Sequence, residues 1–514
     1  MAADHRHRRS RWASLRAWSN DHVMGVTASL TGVVVAVALW VRYWSELRTP
    51  THPIGDLASD GLMVELARHF KLDHGHYSQF GFFHPGAAMF YVEAAGETVF
   101  HNWFHLFPTA YDATWATVLL VNAVLIALSA FCLGVAFDST RVILASTAGF
   151  LVFAIEPTRT FAQSLNGLLV ESWIPVQTLW CVLFLICSLV YLLARRPSAF
   201  VLVGIAATWV AQRYVVLVPI AVACLAFGWF VAWRTVERRR RGRYLGWGVA
   251  SVVVLCLPNL IGIAFGWPWQ FVNYWHAVAH PEKSPRTVGQ SFALVASFWG
   301  LHHAWVFGVL LVVGVGVAVL VYRMRSSAER SGYLAIIAVL YVGTALAVLM
   351  TYGVNSDVDQ LHAYELSFYL GVVALGYGAV AVAVLRWWIA YAVVPALLVF
   401  GDFGAPPAVG YLDMGAAQAA IVRSAAGRSI AYVSANSDNW IWIDGMLLED
   451  VQTGVASCAV RYNAGSAFVY APQHVCPAGV TGTAARFEVN PGVAVPGGQT
   501  IYTSKDLDIV RLPT

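Results

Sequence analysis

Long apolar runs separated by short polar or basic stretches fill most of the chain. They occupy residues 24–44, 114–137, 142–155, 173–194, 199–211, 214–233, 245–265, 304–322, 333–351, 366–385 and 387–400. An α-helix of about 20 apolar residues crosses a hydrocarbon core of about 30 Å, so the pattern predicts about eleven membrane-spanning helices. Two neighbouring runs are unusual: 199–211 and 214–233 are broken by Gln212 and Arg213. A helix over 199–211 would rise only about 20 Å, which predicts a hairpin whose apex lies inside the membrane, with Arg213 facing the protein interior. Past Gly401 the long runs stop and polar and apolar residues mix. A helix over 416–426 and strands over 429–433, 467–470, 485–489 and 507–512 predict a small α/β domain.

Charge orients these elements. Arg6, Arg8, Arg9, Arg11 and Arg16 precede the first run, and Arg141, Arg195, Arg196, the stretch 234–243, Arg323, Arg325 and Arg386 fall at alternate ends of later ones. Basic residues collect on the cytoplasmic side, so residues 1–23 are expected inside. The loop 47–113 and the domain 402–514 are then expected outside, with 24–401 as the membrane module. Composition agrees: 58% of residues are hydrophobic, 12% are charged, and the mean hydropathy is +0.62. A soluble domain carries about 25% charged residues, so that class is excluded. The first run is too long for the apolar core of a cleaved signal peptide and reads as a span. Of seven cysteines, only Cys458 and Cys476 lie in the outer domain, where an oxidising compartment favours a disulfide.

The chemistry concentrates in residues 51–86, which hold Asp56, Asp60, Glu65, His69, Asp73, His74, His76 and His84. Ionisable groups clustered beside a membrane are functional candidates by default; a solvated helical loop is the simpler alternative. Asp56 is the candidate proton acceptor, Asp60 shares its face at i+4, and His84 is the next candidate. Asp56 would also suit a helix N-cap. Arg213, Lys283 and Arg286 are candidates for a phosphate. Gln79, Tyr91, Glu171, His362 and Tyr364 are candidate substrate contacts. His74, His76 and His84 have a spacing compatible with metal ligation, although no cofactor is required by the pattern and a divalent metal stays open.

A cytoplasmic N-terminus, one span, a large outer loop opening on an aspartate, many further spans and an outer C-terminal domain resemble the GT-C class of integral-membrane glycosyltransferases. The motifs look closest to a group of actinobacterial envelope proteins similar to arabinofuranosyltransferases. Gly55-Asp56 and SQFGFFHPGAAMFY (78–91) match that group's loop, with Gln79 where an arginine is expected and Ala87 where a proline is expected. ESWIPV (171–176) and AQRYVV (211–216) stand at two later positions. The resemblance implies a polyprenyl-phosphate-linked sugar as donor, a glycan or glycoprotein as acceptor, the bacterial plasma membrane as location, and arabinofuranose as the preferred sugar. No nucleic-acid partner is expected. A lipid-linked sugar flippase or another transporter is the alternative, since transporters also use broken helices.

Overall fold

A computed structural model describes residues 2–78, 82–155, 167–194, 199–266, 286–301, 303–324, 327–352, 362–404, 414–433, 439–460, 474–477, 484–490, 495–505 and 507–513. In chain order the helices are α1 (Ala2–Arg42), α2 (Trp44–Leu47), α3 (Gly55–Arg68), α4 (Ala88–Glu97), α5 (Ala110–Phe137), α6 (Thr140–Ile155), α7 (Ile174–Leu193), α8 (Ala199–Arg213) and α9 (Val218–Thr235). They continue as α10 (Arg238–Leu255), α11 (Leu257–Gly266), α12 (Val288–Ser297), α13 (Ala304–Met324), α14 (Ser327–Thr351), α15 (His362–Val384), α16 (Trp387–Phe400), α17 (Met414–Ala425) and α18 (Trp440–Thr453). The strands are β1 (Tyr77–Ser78), β2 (Phe82–Phe83), β3 (Ile430–Val433), β4 (Ser457–Ala459), β5 (Ala485–Val489), β6 (Gln499–Thr503) and β7 (Asp508–Arg511).

The chain is a polytopic α-helical membrane protein. Among the described residues six helices are long and apolar enough to cross a membrane, and five shorter apolar helices accompany them. Val309, Val312, Val313 and Leu320 of α13 are all exposed; an exposed apolar surface of that kind is stable in lipid and costly in water. Each of the eleven apolar runs lies mostly on helical chain. The run 245–265 is interrupted at Cys256, between α10 and α11. Pro258 lacks the N–H that would continue the helical ladder there. The stretch 199–233 is broken as predicted near its polar pair: α8 ends at Arg213, Tyr214 is extended (φ −146°, ψ 124°), and Pro219 lies in the first turn of α9.

The chain forms two compact units. The first comprises Met1–Tyr43, Val118–Leu255 and Pro281–Pro406. Its helices approach closely at small residues: a Cβ on Gly149 of α6 would come 2.5 Å from the Tyr377 carbonyl of α15, the kind of contact by which membrane helices pack without a hydrophobic driving force. Arg141, at the start of α6, donates to the carbonyls of Val382 and Leu385 at 3.0 and 2.9 Å, satisfying the open C-terminal end of α15.

The second unit comprises Trp44–Thr117, Cys256–His280 and Pro407–Thr514. Its centre is a five-stranded sheet in the order β4-β3-β5-β7-β6, with β3 parallel to β4 and β5 and the remaining pairs antiparallel. Tyr432 and Phe487 from the sheet, Ile443, Met446 and Leu447 from α18, and Ile421 from α17 form one buried core, and Ala58 and Leu62 of α3 belong to it. The loop helix therefore shares its core with the C-terminal segment. The predicted strand over 467–470 lies outside the described residues. The helix α18 was not anticipated, although Trp440, Ile443, Leu447, Leu448 and Val451 follow the spacing of one helical face.

Candidate functional site

The site is built on α3. Gly55 opens this helix at φ +57°, a left-handed conformation that glycine tolerates, and a Cβ there would lie 3.3 Å from Ile441 Cγ2. Asp56 stands in the first turn and Asp60 one turn later. The N-cap position is Ile54, which makes no side-chain cap bond, so Asp56 is not the cap that its residue type suggested. It instead accepts a hydrogen bond from the Tyr77 hydroxyl. Asp60 is bonded through Oδ1 to His76 Nδ1 at 2.5 Å. Two neighbouring residues of one hairpin thus each engage one carboxylate of the same helical face.

Backbone pairing places those partners. Tyr77 faces Phe83 and Ser78 faces Phe82 across β1 and β2, and beyond the strands Gly75 N–H donates to the His84 carbonyl and His84 N–H to the His76 carbonyl, both at 2.7 Å. Gly75 is needed there because a Cβ would come 2.7 Å from the Gly86 carbonyl. The rings of His76 and His84 lie 6.5 Å apart and nearly parallel. The Tyr77 ring packs edge-on against Trp440 of α18 at 5.7 Å.

Electrostatics divides the histidines. Burial pulls His76 down, but the Asp60 charge, its hydrogen bond and the Asp56 charge outweigh burial and raise the pKa above its usual value. His84 is pushed down to about 3 by burial and then by His76. A group so weakly basic is poorly matched to proton transfer near neutrality. Burial, followed by the Asp56 charge, holds Tyr77 protonated, as its role of donor requires. Asp444 of α18 is fully buried, and burial together with the charges of Asp56 and Asp60 raises its pKa well above the carboxylate range. Asp444, Tyr77 and Trp440 were not singled out from the sequence; an acid on the apolar face of an amphipathic helix was the available signal.

Glu65, another acid of residues 51–86, has structural work. Arg68 donates to both oxygens of Glu65, at 2.9 and 2.5 Å, and His69 contacts the same carboxylate at 3.0 Å. Glu97 lies 3.6 Å from Arg68 and is raised to about 7 by burial and then by Glu65. Tyr91 donates to the Leu72 carbonyl at 2.8 Å. Gln79 lies outside the described residues. Cys458 and Cys476 are joined as a disulfide in this unit. Among the described residues no group of three or more His, Cys, Asp or Glu is arranged to hold a metal ion.

In the first unit, Arg213 ends α8 almost fully buried. Its Nη2 donates to Gln177 Oε1 at 2.7 Å, and its Nε has no hydrogen-bond partner among the described residues. The Gln177 amide in turn donates to the Ser172 carbonyl, which turns its oxygen toward the guanidinium. No acid lies within ion-pair distance of Arg213 among the described residues. Glu171 accepts from the Trp173 N–H at 3.1 Å at the start of α7, and burial raises its pKa. Arg286 is buried. His362 and Tyr364 lie in the first turn of α15; Lys283 lies outside the described residues.

No protein-family model matches the chain, and no curated protein matches it. Among solved structures, ArnT from Cupriavidus metallidurans bound to undecaprenyl phosphate is similar at 14% identity over 93% of this chain and 97% of that one, with a TM-score of 0.46. The Archaeoglobus fulgidus oligosaccharyltransferase in the apo form is similar at 11% identity over 84% of this chain and 63% of that one, with a TM-score of 0.38.

Proposed function

We propose that this chain is a GT-C-type membrane glycosyltransferase that moves a sugar from a polyprenyl-phosphate carrier to a glycan or glycoprotein on the outer face of the bacterial plasma membrane. The observation that carries the reading is the Asp56 and Asp60 pair on one face of α3, each held by a partner from the β1–β2 hairpin. A glycosyl transfer needs an acceptor hydroxyl to lose its proton as the new C–O bond forms and the bond from the anomeric carbon to the phosphate oxygen breaks. Asp56 takes that proton; Asp60, oriented by His76, positions the acceptor.

The departing polyprenyl phosphate gains negative charge, which a cation must stabilise. Arg213 is the phosphate partner: a buried guanidinium bonded to a neutral amide keeps its charge uncompensated, and its planar fork suits phosphate oxygens. Arg286 and Lys283 are further cations assigned to the donor. Gln79, Tyr91, Glu171, His362 and Tyr364 are assigned to substrate contact. Arabinofuranose is the sugar favoured by the motif at 78–91. The break between α8 and α9 would also suit a lipid-linked sugar flippase. Disrupting the gene and profiling envelope glycans and glycoproteins by mass spectrometry tests the reading: a sugar should disappear, and wild type should restore it where Asp56→Asn does not. Restoration by the Asn variant would favour the flippase.

A further inference from the structure

Helix α18 carries three acids, and two of them are satisfied within the fold. Glu449 is bonded to His52 Nδ1 at 2.6 Å. Asp450 accepts from the Tyr432 hydroxyl at 2.6 Å and from Gln418 at 3.3 Å. Asp444 is different: it is fully buried, and neither carboxyl oxygen has a hydrogen-bond partner among the described residues. It stands one helical turn after Trp440, whose ring lies against Tyr77, and the charges of Asp56 and Asp60 act on it. A leucine at this position would fill a comparable volume without stranding a polar group, and such exchanges of buried polar groups are often neutral or stabilising. A carboxyl kept neutral by its surroundings offers one O–H donor and one carbonyl acceptor, both unused here. The complement of that pair is a hydroxyl, which accepts and donates at one atom.

We propose that Asp444 binds a hydroxyl of a sugar ligand at the Asp56–Asp60 site, so that the C-terminal segment supplies part of substrate recognition. The chemistry of the ligand rests on the glycosyltransferase reading. Purified full-length protein in nanodiscs, as wild type, Asp444→Asn and Asp444→Leu, is titrated with methyl glycosides of pentofuranoses and hexopyranoses by saturation-transfer NMR, beside thermal unfolding. Asn keeps a donor and an acceptor, so binding should stay within about threefold of wild type; Leu should weaken it about tenfold or more while unfolding occurs at an equal or higher temperature. Asp444→Ala removes the carboxyl without added volume and replaces Leu should that variant not fold. Unchanged binding in the folded Leu or Ala variant overturns the proposal, as does a wild type that binds none of the glycosides. Glycoside binding that depends on Asp444 in a wild type without sugar transfer would sink the transferase reading alone.

Discussion

Asp56→Asn is the sharpest perturbation, because structural and chemical roles predict effects of different size. The carboxylate accepts from the Tyr77 hydroxyl, and an asparagine oxygen can accept the same bond. A hydrogen bond to a charged group contributes about 1.5–3 kcal/mol and a neutral one about 0.5–1.5, so the exchange costs roughly 1 kcal/mol. Loss of like charge beside Asp60, at i+4 on the same helix, acts in the opposite direction. No capping term enters, because Ile54 holds the N-cap position. The variant should therefore fold and unfold within about 1 kcal/mol of wild type. Removing a general base should slow transfer by about 10²–10⁴ fold, equivalent to roughly 2.7–5.4 kcal/mol in the barrier at 1.36 kcal/mol per decade. The assay is single-turnover transfer from a radiolabelled polyprenyl-phosphate sugar in nanodiscs, with donor binding and thermal unfolding measured on the same preparations. A folded Asn variant that binds donor and transfers within about threefold of wild type would refute the assignment, since that is far less than a lost base costs.

Arg213→Ala should weaken donor binding more than Arg213→Lys, which keeps the charge but loses the fork; equal donor affinity in wild type and the Ala variant, read by equilibrium binding, would refute a donor-phosphate role for Arg213. The depressed His84, at about 3 when folded, should make stability fall as pH drops from 6.5 toward 3, because the unfolded chain then binds the proton that the folded chain refuses, at up to about 1.4 kcal/mol per pH unit. Thermal unfolding against pH should show a shallower acid limb in His84→Gln than in wild type. His76 acts with the opposite sign: its contribution is complete below 6.5 and is lost as pH rises through its raised folded pKa. The disulfide of Cys458 and Cys476 closes a separation of 18 residues, for which chain entropy predicts about 3 kcal/mol; non-reducing peptide mapping should find the linked peptides, and Cys458→Ser should lower the unfolding temperature.

The membrane class, the helical runs and the break near Gln212 and Arg213 were legible along the chain because hydrophobicity and proline act locally: each run carries its own reason to be a helix in lipid. The same holds for α17, β5 and β7, where short-range pattern and observed element coincide. Asp56 and Asp60 were legible as a pair because i and i+4 share a helical face whatever surrounds them. Tertiary structure decided what those carboxylates meet. His76 and Tyr77 reach them only because the hairpin folds back on α3, and Asp444 joins them across nearly four hundred residues of sequence because Ala58 and Leu62 bury into the same core as α18. It also decided that Asp56 bonds a tyrosine instead of capping its helix, and that Arg213 meets an amide instead of an acid. Periodicity reports which face of an element is buried, whereas the partner across the interface depends on long-range packing that no local spacing encodes.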